Sequence, residues 1–128
     1  MHSASRRFCM LAALLLALAT VIGAVGAHAL KASLSVDRFE VLQTAVHYQF
    51  FHALGLLGLG LLFERVPRAL LHWAGWLVFA GVVLFSGSLY LLVAGAPRLF
   101  GVLTPIGGLA LIAGWSAAAL ALALRREP

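Results

Sequence analysis

Val41-Leu-Gln-Thr-Ala-Val-His47-Tyr48-Gln49-Phe-Phe-His52-Ala-Leu-Gly55-Leu-Leu-Gly58-Leu-Gly60-Leu-Leu-Phe63 runs without one formal charge, between Glu40 and Glu64. An α-helix rises 1.5 Å per residue, so about 20 residues cross a hydrocarbon core of about 30 Å. The run is long enough. Backbone polar groups in lipid have no water to bond, and at this length only a helix satisfies them internally. The stretch therefore predicts a membrane-spanning helix, with its costliest residues, two histidines, a tyrosine and a glutamine, gathered at the head of the apolar run Ala53–Phe63.

The rest of the chain repeats the pattern. Its 128 residues are 63% hydrophobic and 10% charged, with a mean hydropathy of +1.05. Soluble domains carry roughly 25% charged residues. The charges fall in five short segments: Arg6 and Arg7; Lys31, Asp37, Arg38 and Glu40; Glu64, Arg65 and Arg68; Arg98; and Arg125, Arg126 and Glu127. Between them lie three further uncharged runs, Phe8–Leu30, Ala69–Pro97 and Leu99–Leu124. The expected fold is all-α, an integral membrane four-helix bundle with antiparallel neighbours and short loops. One transmembrane domain fills residues 1–128, with helices at about 8–30, 45–63, 70–93 and 104–124.

The net charge of +5 is read as a topology signal rather than a nucleic-acid surface, because the basic residues form no stripe. With both termini cytoplasmic, Arg6, Arg7, Arg65, Arg68, Arg125 and Arg126 lie inside, against Lys31, Arg38 and Arg98 outside. That distribution obeys the positive-inside rule. Arg6-Arg7, an apolar run and Ala27-His28-Ala29 also match a signal peptide with a small-x-small cleavage site. The run from Met10 to Leu30 is longer than the usual 7–15 residues of such signals, and the first helix is expected to stay.

Several local signals shape the helices. Ala19, Gly23 and Ala27 in the first, and Ala110, Gly114 and Ala118 in the last, are small residues at four-residue spacing. Such strips let helices approach in lipid, which supplies no hydrophobic drive between them. Ser35 can cap a helix, with Asp37 near the positive end of its dipole. Residues 35–44 then read either as an amphipathic segment on the outer surface or as an early start of the second helix. Gly95-Ala96-Pro97 should end the third helix. Thr104-Pro105 should start the fourth, as cap and first helical residue. Trp73 and Trp76 sit at the depth of an interfacial aromatic belt. The single Cys9 can form no internal disulfide and is expected to pack near the inner face.

In this topology His28, His47, Gln49, His52, Ser86, Ser88, Tyr90 and Thr104 all fall in the outer half, while the inner half offers almost nothing polar. Intramembrane polar residues of this kind mark candidate sites. The candidate cluster is His28, Gln49, His52, Ser86, Ser88, Tyr90 and Thr104. Its members either hydrogen-bond between helices, hold a small solute or ion, or ligate a metal or haem through His28, His47 and His52. His47 and His52 are about 140° apart around a helix of 3.6 residues per turn, whereas helical metal pairs want i,i+4 spacing. No carboxylate lies within any of the four expected helices to complete a ligand set or act as a general base. No catalytic residue, metal site or cofactor is expected. Tyr48, Gln49 and His52 share a helical face through i,i+3 and i,i+4 spacing.

The segments Gly23-Ala-Val-Gly-Ala-His28-Ala-Leu30, Tyr48-Gln49-Phe-Phe-His52-Ala-Leu54, Ala74-Gly75-Trp76, Phe85-Ser86-Gly-Ser88-Leu-Tyr90, Thr104-Pro105-Ile-Gly107-Gly108 and Gly114-Trp115 together resemble the YgdD-like family. This is a domain-of-unknown-function family of small four-helix membrane proteins. The resemblance implies a multi-pass inner-membrane protein that retains its first helix, and it brings no activity with it. The expectation is a non-catalytic structural or accessory membrane component. The alternative is a small-solute, ion or metal binding or transport site in the outer half. The expected partner is the lipid bilayer, with no nucleic acid, and with self-association or another membrane protein left open.

Overall fold

Four helices carry the chain in the computed structural model, which describes residues 1–124. They are α1 (Ser3–Val25), α2 (Val36–Arg65), α3 (Ala69–Val93) and α4 (Leu103–Ala123). A π-helical turn, Gly26–Leu30, prolongs α1, and a 3-10 turn, Arg98–Val102, leads into α4. No strand occurs among the described residues. The spans Ser3–Leu30, Val36–Arg65, Ala69–Val93 and Arg98–Ala123 are each long and apolar enough to cross a membrane. Arg125 and Arg126, read as charges on the cytoplasmic side, lie outside the described residues.

The connections follow from local chemistry. The π-turn closes where Lys31 N–H donates to the Gly26 carbonyl, five residues back. Ser35 caps α2 by accepting from Arg38 N–H at 3.2 Å, as its residue type predicts. α2 then runs unbroken from Val36, so residues 36–44 are its first turns. Pro67 lies in the short link between α2 and α3. α3 ends in a Schellman turn: Gly95 adopts φ 97°, Ala96 N–H donates to Leu91 O, and Gly95 N–H donates to Leu92 O. Glycine suits that position because it lacks the Cβ that penalises left-handed backbone. The fourth helix departs from expectation. It begins at Leu103 with Val102 at the cap position, so Thr104 is inside the first turn and its hydroxyl points to another helix.

Each helix packs chiefly on its neighbours in sequence, α1 on α2, α2 on α3, and α3 on α4. Both connections α1–α2 and α3–α4 lie at one end of the bundle, the two-loop end. The N-terminus, the α2–α3 link and the end of α4 lie at the other, the terminal end. Small residues set the separations. A Cβ on Gly107 would stand 2.9 Å from both Gly81 O and Phe85 Cα, and one on Gly114 would stand 2.8 Å from Val78 Cγ2. Thus α3 and α4 touch almost backbone to backbone, the close approach expected where lipid gives no hydrophobic drive. On α1 the packed stripe is Phe8, Ala12, Ala19 and Gly26, all buried. Ala27, expected on that stripe, is exposed, and Gly26 lies against Leu42 instead. In contrast, Leu14, Leu18, Phe51, Leu61, Leu109 and Ile112 are each more than half exposed, an apolar girdle that only lipid makes tolerable.

The terminal end is more structured than its sequence suggests. The Phe8 ring is fully buried and meets Phe63, His72 and Trp76 at ring separations of 6.4, 5.6 and 5.4 Å. It seats over Gly75, where a Cβ would fall 2.5 Å from the ring. Ser5 Oγ, also buried, donates to Gly60 O at 2.6 Å. Cys9 sits beside the same glycine. Trp76 is therefore partly a core residue, while Trp73 remains 63% exposed.

Candidate functional site

Gln49 is the buried centre of the polar residues, at 2% exposure in the middle of α2. Its Nε2 donates to Leu15 O on α1 at 2.7 Å. Its Oε1 accepts from Tyr90 Oη on α3 at 2.5 Å. A carbonyl already engaged in its own helix has a second lone pair, which is how Leu15 serves a neighbour without breaking α1. One amide thus joins three helices.

Further bonds lie toward the two-loop end. One turn toward the two-loop end of α2, Ala45 O accepts from Ser86 Oγ at 2.7 Å, tying α3 to α2. Ser88 and Thr104 exchange a hydroxyl bond at 2.6 Å between α3 and α4, and Ser88 also donates to Phe85 O at 2.9 Å. Among the described residues no buried side-chain nitrogen or oxygen lacks a partner. Polar groups in a membrane interior are costly when unpaired, and here they face one another.

His52 belongs to a different contact. Its Nδ1 accepts from Trp115 Nε1 on α4 at 2.9 Å, while the Trp115 ring lies against Gly55. The face that spacing assigned jointly to Tyr48, Gln49 and His52 is divided. Gln49 points toward α1 and α3, His52 meets Trp115 on α4, and Tyr48 lies against Phe85 on α3. Tyr48 stacks on Phe85 at 4.3 Å and stands 5.7 Å from His52. These two, with Phe85, Gly108, Leu111, Ile112, Trp115 and Ser116, line an open groove of about 500 Å³.

The histidines at the two-loop end do not join the cluster. His28 is exposed on the π-turn, away from Gln49 and its partners. His47 is exposed too, stacking near Phe51 at 6.2 Å beside a small apolar groove with Gly23, Gly26 and Leu42. Tyr90 borders another groove, of about 360 Å³, with Ile22, Leu30 and Leu34. Of the seven candidates, Gln49 bonds to Tyr90 and Ser88 to Thr104, Ser86 holds a backbone carbonyl, and His52 pairs with Trp115. No three His, Cys, Asp or Glu side chains among the described residues converge as metal ligands would.

Sequence reasoning passed over three partners. Trp115 is the donor that orients His52, Leu15 supplies only a backbone carbonyl, and Phe85 forms the wall on which Tyr48 stacks. Of these, Trp115 and Phe85 left a signal, an aromatic well inside a helix rather than near its end.

The family described as "Protein of unknown function (DUF423)" matches residues 22–108, a range that holds all seven candidates and stops short of Trp115. A UPF0382 membrane protein of Staphylococcus haemolyticus is 46% identical over 108 residues, covering 84% of this chain and 88% of its own length. The UPF0382 membrane protein YwdK of Bacillus subtilis is 41% identical over 109 residues, 84% of this chain and 89% of the relative. The UPF0382 inner membrane protein YgdD of Escherichia coli K12 is 39% identical over 95 residues, 74% of this chain and 72% of the relative. No solved structure is significantly similar.

Proposed function

The chain belongs to the DUF423 family of membrane proteins, and from that premise we propose that it is a non-catalytic structural component of the membrane. In this reading its inward polar groups join helices rather than serve a solute. The observation that supports this most is Gln49: both ends of its amide are bonded across helix boundaries and almost none of it is accessible. A solute site needs polar groups that are reachable and have capacity left for the ligand. Gln49 and Ser86, each 2% exposed, are not reachable.

The arrangement of basic residues orients the protein, with both termini in the cytoplasm and the two-loop end outward. An inner-membrane location accords with the printed name of the Escherichia coli relative. In this orientation the knots around Gln49 and Ser88 fix the outer part of the bundle, and the Phe8 cluster fixes the inner part.

Flux measurements on the reconstituted protein test the reading. Liposomes containing it should pass protons, monovalent cations and small polar solutes no faster than protein-free vesicles. Flux well above that background, abolished in a folded Gln49→Leu variant, would assign the polar centre to permeation and overturn the structural role.

A further inference from the structure

We propose that the groove between α2, α3 and α4 binds a lipid-soluble molecule with a flat, carbonyl-bearing head, held by the His52 Nε2–H and the Tyr48 hydroxyl. The inference goes beyond the structural role, which concerns Gln49 and its partners.

The chemistry begins with the Trp115–His52 bond. An indole N–H is only a donor, so the His52 Nδ1 that meets it at 2.9 Å must carry a lone pair. The ring is then neutral with its proton on Nε2, because the bond at one nitrogen settles the state of the other. His52 lines the groove, and among the described residues its Nε2–H has no acceptor. Tyr48, one turn away, lines the same groove, and its hydroxyl likewise has no partner among the described residues. Two donors with capacity left thus border one concavity.

Depth selects what can meet them. His52 is equidistant in sequence from Val41 and Phe63, the ends of the uncharged run, so it lies near the middle of the hydrocarbon. Water is scarce there, and an unmet donor is costly. The ester carbonyls of ordinary phospholipids stay at the edge of the core, roughly 15 Å away by half its thickness. The acceptor must arrive on a molecule whose head itself dissolves in hydrocarbon. Tyr48 and Phe85, stacked on each other at 4.3 Å, and Trp115 add aromatic surface to the lining, which suits a flat ring. The volume, about 500 Å³, matches a small-molecule site. A concavity of that size fits a ring and the start of its tail better than the convex face of another helix.

The test uses histidine-labelled protein in micelles, with the imidazole nitrogens followed by NMR during titration with a decyl-substituted benzoquinone. Decylbenzene, which has the tail and ring but no carbonyl, is the control. The His52 Nε2 signal should shift saturably with the quinone and stay put with decylbenzene. Tyr48→Phe should weaken binding roughly three- to ten-fold, the loss of one hydrogen bond. Ile112→Trp, a lipid-facing change that fills the groove, should abolish the shift while leaving the unfolding temperature near that of the parent. A quinone that leaves Nε2 unmoved overturns the proposal, as does an equal response to decylbenzene or a response that survives Ile112→Trp. An Nε2 signal that moves with protein concentration alone would assign the groove to a second copy of the chain instead.

Discussion

Tyr90 on α3 donates its hydroxyl to Gln49 Oε1 on α2 at 2.5 Å, while the other end of the same amide holds the Leu15 carbonyl of α1. A side chain that bonds at both ends to different helices has only one productive orientation. It therefore sets the rotation of α2 about its axis as well as its distance from two neighbours. In lipid, where apolar surface gains nothing by leaving the solvent, such bonds and close packing specify which faces meet.

Trp115 should act through His52. Trp115→Phe keeps a ring against Gly55 but removes the N–H that holds His52 Nδ1. The expected loss is about 0.6–1.7 kcal/mol, the range for interhelical hydrogen bonds in membranes. Imidazole NMR should show the His52 proton distributing between both nitrogens instead of resting on Nε2. Unfolding in mixed micelles gives the energy, and the nitrogen spectrum tells whether the tautomer was released.

The α3–α4 contact predicts different outcomes at adjacent glycines. A methyl group at Gly107 would press on Gly81 O and the Phe85 backbone, whereas one at Gly108 would meet only Phe85 Cδ2 at 3.9 Å. Gly107→Ala should destabilise by about 1–3 kcal/mol, the usual cost of overpacking. Gly108→Ala should stay within about 0.5 kcal/mol of the parent. Parallel unfolding curves of the two variants check this directly.

At the terminal end, Phe8→Ala removes the ring that fills the space between Gly75, Phe63, His72 and Trp76. Burial losses of this type cost about 3–5 kcal/mol in soluble cores. Here the lower end is expected, because an unpacked α1 still rests in lipid rather than water. Phe8→Leu should recover more than half of the loss in the same assay.

Orientation is tested with single cysteines. Ser33 and Pro67 are exposed, in the links on either side of α2. With Cys9 replaced, Ser33→Cys should react with a membrane-impermeant thiol reagent on intact cells, and Pro67→Cys only after permeabilisation. The reverse pattern would invert the topology drawn from the basic residues.

Much of the fold was legible because lipid imposes a coarse rule: uncharged runs of sufficient length must be helices. Ser35 and Gly95 marked ends correctly, since cap chemistry is local. Thr104 misled for the converse reason. Its residue type suits a cap, yet a 3-10 turn carries the helix back to Leu103 and leaves the hydroxyl for Ser88, a tertiary matter. Spacing placed Gln49 and His52 on a common face, but a helix surrounded on several sides has no single inward face, and the two side chains found different neighbours. Leu15 was invisible, because a backbone carbonyl has no residue type. The polar and aromatic knot at the terminal end was missed because Ser5 and Phe8 look ordinary at the head of an apolar run.

The most direct test of the account is a double-mutant cycle on Gln49 and Tyr90. Gln49→Leu leaves the Tyr90 hydroxyl and the Leu15 carbonyl without their partner, and Tyr90→Phe removes one of Gln49's two bonds. If the pair joins helices, each single variant should unfold more readily, and the double variant should lose less than the sum of the two. The coupling should be about 0.6–1.7 kcal/mol. Strictly additive losses, or single variants as stable as the parent, would contradict the claim that this bond holds the bundle together.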